Sequence, residues 1–137
     1  MKHPLFTALT LAALGCAPRV PPAAPRTETP MDMHAFSIPP ADPSGPPRQV
    51  RVLHDDPAVK LVAIRLRGVD LPPHQSDFAV VIQAVAGAGE VVVGDRREPL
   101  DGGRGVVLPP RAVHAVTRAG EGDLVLLVTH VKGAAAR

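Results

Sequence analysis

The chain has 137 residues, a length typical of one compact domain with an appendage, and its 15 Lys and Arg against 13 Asp and Glu give a formal net charge of +2. Because the two signs are interspersed, the sequence offers no cationic patch for counterion release from a nucleic acid, and we expect no nucleic-acid partner. There is no Trp or Tyr and there are only three Phe residues, which excludes the aromatic stacking platforms of many sugar-binding and base-binding surfaces.

Residues 1–16 have the layout of a secretory signal sequence. A basic start containing Lys2 precedes an uncharged apolar stretch over residues 5–15. This stretch is shorter than the roughly 20 residues that cross a membrane as a helix. It ends in Ala-Leu-Gly-Cys, which resembles the box of bacterial lipoproteins, and the pattern therefore predicts lipidation of Cys16.

Cys16 is the only cysteine, so no disulfide can form within the chain. The alternative to lipidation is ordinary signal cleavage nearby, which would leave a free thiol. An acylated Cys16 would anchor the protein to a membrane of the cell envelope, facing the periplasm or the exterior. The residue after the cysteine is Ala17, and not the Asp that marks inner-membrane retention in many two-membrane bacteria, so the resemblance implies the outer membrane in such a bacterium.

Residues 17–49 contain ten prolines and are predicted to form a disordered linker. Proline fixes φ and lacks a donor N–H, so such a segment builds neither a helix nor a central strand. Residues 31–38 within it carry enough apolar side chains to dock on the domain, for example as an edge strand. They are otherwise a more apolar part of the linker, with His34 exposed to solvent.

Beyond the linker, residues 50–133 are predicted to form an all-β domain, a sandwich or barrel of short strands. Segments rich in Val, Leu and Ile alternate there with turns containing Gly, Pro and Asp, and no amphipathic helix pattern is present. The predicted strands are 50–54, 59–67, 78–86, 90–93, 105–108, 113–117 and 124–131.

Two of these strands, 78–86 and 124–131, are apolar on both faces. A strand with one face in water alternates more cleanly between polar and apolar residues. The outer faces therefore need cover, either from residues 31–38 or from another subunit. The folded part is also small for a single core, and we expect a homodimer.

The spacing of glycines, prolines and histidines over residues 50–131 resembles the cupin superfamily, whose members are small jelly-roll barrels. The resemblance implies a single cupin-type barrel preceded by the signal sequence and the Pro-rich linker. The residues that carry it are Gly68, His74 and Gly87 in the first motif, and Gly103, Pro109 and His114 in the second.

The same resemblance implies where a metal site would lie. Metal-binding cupins use two histidines and a glutamate of the first motif and a histidine of the second; the corresponding residues here are His74, Ser76, Val80 and His114. Serine is a poor neutral ligand and valine is none, whereas catalytic zinc or iron sites usually have three protein ligands. We therefore expect a degenerate metal site, in which His74 and His114 bind a divalent ion weakly or not at all.

Strand parity predicts a ligand pocket on the inner face of the barrel. Gln75 and Asp77 have the opposite parity and reach inward only through a bulge, and His54 is expected at the surface. The predicted pocket residues are His74, Ser76, Phe78, Val80, Ile82 and His114.

The roles of the remaining polar residues stay open. His74 and His114 form either a buried pair, to which Ser76 supplies a hydroxyl, or hydrogen-bonding groups at the mouth of an apolar pocket. His130 is a hydrogen-bonded strand-end residue or a ligand near the rim. The second-motif loop is altered too, since Arg111 and Arg118 replace the glycine and the asparagine of the motif; these arginines would favour an anion if they faced the pocket.

Three functions are compatible with these residues. The favoured one is an exported, lipid-anchored, non-catalytic cupin that binds a small molecule or supports an envelope assembly. The alternative is a metal-dependent enzyme of oxygenase or isomerase type, with a rebuilt ligand set around His74 and His114. A structural spacer without a ligand does not explain why both histidines are present. No catalytic residue is predicted, because no Ser-His-Asp arrangement, inward carboxylate pair or phosphate-binding loop occurs.

Overall fold

The computed structural model describes residues 23–24 and 33–133, so the predicted signal sequence and Cys16 lie outside the described residues. A compact unit begins at His34 and contains nine strands. No helix long and apolar enough to cross a membrane occurs in the described part of the chain. The strands are β1 (Arg48–Asp55), β2 (Val59–Leu66), β3 (Leu71–His74), β4 (Ala79–Ala86), β5 (Ala88–Val93), β6 (Arg96–Leu100), β7 (Gly105–Leu108), β8 (His114–Ala119) and β9 (Leu124–Val131).

The strands form two antiparallel sheets. One has the order β1-β2-β9-β4-β7 and the other the order β3-β8-β5-β6, so chain neighbours such as β3 and β4 lie in different sheets. The predicted all-β sandwich is confirmed. Its core lies between the sheets, where alternate residues of each strand point inward. The fully buried side chains are Leu66, Ile82, Val91, Leu100, Val116, Leu124 and Leu126.

All seven predicted strands are present, and β3 and β6 are two further ones. β3 contains Pro72 and Pro73, and β6 contains Pro99 beside two arginines, so neither has the apolar pattern of a strand. Both lie at the edges of the four-stranded sheet. A proline costs little there, because an edge strand leaves half of its N–H groups without a ladder partner.

The outer face of the five-stranded sheet has two rows of the register without a charged residue on β2, β9, β4 and β7, and the second row continues into Arg51 on β1. In the first row Val107 is 72% exposed. Such a face would bury apolar surface against a second subunit, and the homodimer stays a prediction. The rows are Leu61, Thr129, Val81 and Val107, and then Ala63, Leu127, Gln83 and Gly105.

Two arginines hold part of the predicted linker against the domain: Arg65 in β2, and Arg67, the residue that follows β2. The guanidinium of Arg67 donates hydrogen bonds to three backbone carbonyls, and that of Arg65 donates to the carbonyl of Pro39 at 3.1 Å. Residues 39–47 are therefore attached to the sheet, and β1 begins at Arg48, inside the predicted linker range. The acceptors of Arg67 are the oxygens of Asp42 and Pro43, both at 3.2 Å, and of Gly45 at 2.7 Å.

Residues 33–38 contain no strand, so the described part of the 31–38 segment does not add an edge strand. Ile38 lines a groove of about 460 Å³ between the attached segment and the sheet. At the floor of that groove Ala63 and Val125 are buried although they point outward. His34 is exposed, as predicted, and its ring centre lies 5.3 Å from that of His54.

Candidate functional site

Two histidines face each other where β3 ends and β8 begins. His74 is the last residue of β3 and His114 the first of β8, and the two are partners in the antiparallel register. Their ring centres are 4.2 Å apart and the ring planes are tilted by 54°. His74 is exposed whereas His114 is only 4% exposed. The pair therefore connects solvent to the interior of the sandwich.

A cavity of about 160 Å³ lies beneath this pair, between the two sheets. Its walls are aliphatic and its polar groups are uncharged or titratable imidazoles, with no carboxylate, lysine or arginine among the lining residues. The apolar walls are Ile64, Leu71, Val80, Ile82, Val116, Leu126 and Val128. The polar groups are His74, Gln75, Ser76, His114 and His130.

Backbone carbonyls fix the orientation of the two facing rings. The Nδ1 atom of His74 lies 2.9 Å from the carbonyl oxygen of Pro72, and the Nδ1 atom of His114 lies 2.9 Å from that of Ala112. A carbonyl oxygen only accepts, so Nδ1 carries the proton in both rings. In the neutral ring this leaves Nε2 as an acceptor.

Ser76 interacts with His130 rather than with the facing pair. The Ser76 Oγ atom lies 3.2 Å from His130 Nδ1 and accepts a hydrogen bond from the backbone N–H of Phe78 at 3.1 Å. His130 reaches the cavity because β9 pairs it with Val80, an inward-facing residue of β4. The structure places His130 in the cavity wall as a half-buried, hydrogen-bonded residue.

The placement of Phe78 in the pocket is wrong. Its side chain is 40% exposed and does not line the cavity, whereas Gln75 does. Strand parity predicts the direction of side chains only along a continuous strand, but β3 ends at His74 and β4 begins only at Ala79. In the intervening loop, alternation no longer decides which side chain points inward.

The two arginines of the altered second-motif loop do not reach the cavity. Arg111 is exposed, and its backbone N–H donates to the carbonyl of Ser76 at 2.7 Å, which joins the loops on either side of the cavity mouth. The guanidinium of Arg118 donates to the carbonyl of Gly122 at 2.6 Å. Neither arginine is positioned to bind an anion in this cavity.

Arg111 has a φ of 65°, a left-handed conformation, at the position where the cupin motif has glycine. We expect Arg111→Gly to raise the free energy of unfolding by about 1 kcal/mol, since a side chain at positive φ is strained and glycine is not. Urea denaturation measures the change. Arg111→Ala is the control, because it removes the same side-chain atoms beyond Cβ while keeping the strain. Equal stability of the two variants would contradict this explanation.

Burial lowers the pKa of His114 below its ordinary value of 6.5, against an opposing effect of the hydrogen bond to Ala112. Burial also lowers the pKa of His130, and the charge of Lys60 adds to the decrease. Both rings are thus held in the neutral form more strongly than in the unfolded chain.

A pH dependence of stability follows from these two shifts. These two histidines bind protons at higher pH in the unfolded chain than in the folded protein. Their effect on the free energy of unfolding is therefore small above about pH 6.5, and the free energy of unfolding decreases as the pH falls below that value. Urea denaturation at about pH 7.5 and about pH 5.5 should give a lower free energy of unfolding at the lower pH. The His114→Gln variant should show a smaller decrease; an unchanged decrease would assign the effect to other groups.

The comparisons with known proteins agree with this geometry. The family described as AraC-like ligand binding domain matches residues 56–137, more than half of the chain. The chain belongs to this family. It is a cupin, and the predicted superfamily is confirmed. A search of curated proteins gave no match.

Solved structures share the fold of this cupin. An RmlC-like cupin protein from Desulfovibrio desulfuricans is 27% identical, with a TM-score of 0.56 over 62% of this chain and 82% of the other. An RmlC-like cupin with a double-stranded β-helix fold from Methanocaldococcus jannaschii is 18% identical, with a TM-score of 0.59 over 74% and 92% of the two chains. A putative mannose-6-phosphate isomerase from Ralstonia eutropha JMP134 is 18% identical, with a TM-score of 0.63 over 74% and 100%.

The donors of this cupin do not fit the four-ligand metal centre implied by the resemblance. At the glutamate position Val80 is only 2% exposed and offers no donor atom, and Ser76 Oγ is already hydrogen-bonded. Across residues 33–133 no group of three or more His, Cys, Asp or Glu side chains is spaced to hold an ion. Two imidazoles alone are fewer than the three protein ligands usual in a catalytic site.

Proposed function

We propose that this cupin is a non-catalytic module that binds a small molecule in the cavity beneath His74 and His114. The observation that carries the proposal is an aliphatic cavity with a few polar groups gathered at one end. Apolar walls supply binding energy, and a small number of placed polar groups supply orientation. The family description, a ligand-binding domain, supports the same function.

A cavity-filling substitution tests the proposal. A fragment library is screened by ligand-observed NMR against the protein and against Val80→Phe, whose added ring would occupy the cavity. Val52→Phe is the matched control, because it makes the same change at a half-exposed valine of β1 that lies outside the cavity and outside the uncharged rows of the outer face. We expect fragments whose binding signals are lost in Val80→Phe and kept in Val52→Phe. A library without such fragments, or binding equal in both variants, would overturn the proposal.

Because overpacking can unfold a core, Leu71→Phe in the cavity wall serves as a second filling variant. Circular dichroism and a thermal unfolding curve identify the variants that retain the fold. A folded filling variant that keeps every bound fragment would place the binding elsewhere on the protein.

A metal-dependent enzyme of oxygenase or isomerase type is the second candidate, and the facing rings of His74 and His114, at two of the ligand positions that the resemblance implies, favour it. The purified protein without residues 1–16 would then contain a stoichiometric first-row metal. That metal would disappear in both His74→Ala and His114→Ala. We expect less than stoichiometric metal, consistent with a degenerate site; the opposite result would replace the binding function with the enzymatic one.

We propose that an acyl chain on Cys16 carries the domain on a membrane of the cell envelope, the outer membrane where two exist. The support is the lipoprotein-like box in the sequence and the ten prolines that follow it. Cys16→Ser should move the protein from the membrane fraction to the soluble fraction. Retention of Cys16→Ser in the membrane fraction would contradict lipidation as the attachment.

We also propose a homodimer formed through the uncharged rows of the outer face. A two-fold axis places a surface against itself, so contact through the uncharged part of these rows, on β2, β9, β4 and β7, brings no like charges together. Size-exclusion chromatography with light scattering should give the dimer mass for the protein without residues 1–16, and the monomer mass for its Val107→Glu variant. Val113→Glu is the control, at an exposed valine outside these rows. A monomeric unsubstituted protein would refute the dimer.

A further inference from the structure

The two facing histidines present acceptors, and not donors, to an incoming molecule. Both Nδ1–H groups are used by backbone carbonyls, so each neutral ring offers only the lone pair of Nε2. Among the described residues neither Nε2 atom has a hydrogen-bond partner. In that part of the chain, Arg118 Nε is the only fully buried side-chain nitrogen or oxygen that lacks a hydrogen-bond partner. The Nε2 atom of His114 also lacks a partner but is not fully buried, so an approaching group can reach it.

The charges around the cavity do not favour an anion. No lysine or arginine lines it, and the guanidinium of Arg118 donates its hydrogen bond to the carbonyl of Gly122 instead. An anion would also face the Nε2 lone pairs unless the rings were protonated, which burial of His114 opposes. A group that carries its own N–H or O–H meets no such cost.

The size of the cavity limits the rest of the ligand. Its volume is about 160 Å³ and its walls are Ile, Leu and Val side chains. An apolar protein cavity of about 150 Å³ accommodates benzene, so a compact apolar body of about six to eight heavy atoms fits here. A nucleotide or an oligosaccharide is too large to be enclosed.

We propose that the cavity selects compact apolar molecules that carry a hydroxyl or amino group, which donates a hydrogen bond to Nε2 of His114 or His74. The inference rests on the proposed function, since it names the ligand class of the same cavity. His114 is the buried acceptor of the pair and His74 the acceptor at the mouth.

Three aromatic probes of similar size test the ligand class: phenol has a donor, toluene has none, and benzoate is an anion. Calorimetric titration at about pH 7.5 with a chelator present compares their affinities for the protein. We expect phenol to bind about tenfold more tightly than toluene, the effect of one hydrogen bond, and benzoate to bind most weakly. Val80→Phe should abolish phenol binding if the cavity is the site.

Variants then assign the acceptor. His114→Leu and His74→Ala should reduce the preference for phenol over toluene, whereas His54→Ala, a histidine outside the cavity, should retain it. His74 is exposed, so its variant keeps the test informative if His114→Leu does not fold. Equal affinities for phenol and toluene, or the highest affinity for benzoate, would overturn the inferred ligand class. The proposed binding function of the cavity would still stand. Failure of all three probes while other fragments occupy the cavity would overturn the inference alone.

Discussion

Replacing Gly87 or Gly89 by alanine is expected to lower the free energy of unfolding by roughly 3 kcal/mol or more, a large fraction of the total for a small domain. A Cβ atom on Gly87 would meet the backbone carbonyl of Asp123 well under 3.0 Å, at a φ of +75°. A Cβ atom on Gly89 would meet the carbonyl of Thr117 and a methyl group of Leu124 in the same way. Backbone atoms cannot move aside without separating β5 from β8 or displacing the start of β9.

The chain provides matched controls for both substitutions. Gly120 has a φ of +74° and Gly102 has no positive φ, and a Cβ atom on either would meet nothing within 4 Å. Gly120→Ala should therefore cost only the strain of the left-handed conformation, about 1–2 kcal/mol, and Gly102→Ala close to nothing. Urea denaturation of the four variants compares the costs. Gly87→Ala no less stable than Gly120→Ala would show that the contact with Asp123 carries no energy.

Arg67→Ala is expected to release residues 39–47 from the sheet. The guanidinium donates to three carbonyls of this segment, and hydrogen bonds from charged groups contribute about 1.5–3 kcal/mol each. Even one such bond corresponds to more than about a tenfold faster exchange of the segment's amide hydrogens. The measurement is hydrogen exchange at Ala41, Asp42, Ser44 and Gly45, the residues of 39–47 that have a backbone N–H.

Two controls separate the effect of the planar guanidinium donors of Arg67 from the effect of its positive charge. Arg67→Lys keeps the charge but loses the planar set of donors, so most of the faster exchange should remain. Arg97→Ala removes an exposed arginine paired with Glu90 on the other sheet, and exchange in residues 39–47 should not change. Unchanged exchange in Arg67→Ala would mean that the proline-rich segment is held by other contacts.

The seven apolar strands were predictable because each has Val, Leu or Ile side chains between turn residues. β3 and β6 were not, because prolines and arginines remove the apolar signal and only the neighbouring strand supplies the pairing. The attachment of residues 39–47 was equally hidden. It depends on Arg67 meeting carbonyls at least 22 residues away, and carbonyls carry no sequence signal.

The motif spacing indicated that His74 and His114 would meet, and the structure brings them together. Strand parity placed Val80 and Ile82 at the cavity but failed at Phe78, where the chain is a loop. His130 was left undecided, since its inward position follows from pairing with Val80 across the sheet. The inclusion of Gln75 had no signal beyond the possibility of a bulge.

The main chain, and not a neighbouring side chain, aims the imidazoles of His74 and His114. A backbone carbonyl is present whatever the side chain, so substitutions at Ser76 and Val80 leave the orientation of both rings unchanged. Related barrels can therefore differ in the residues opposite the imidazoles, and in the ligand they bind, while the two rings keep their orientation. This independence gives a physical reason why one scaffold can serve catalysts and receptors alike.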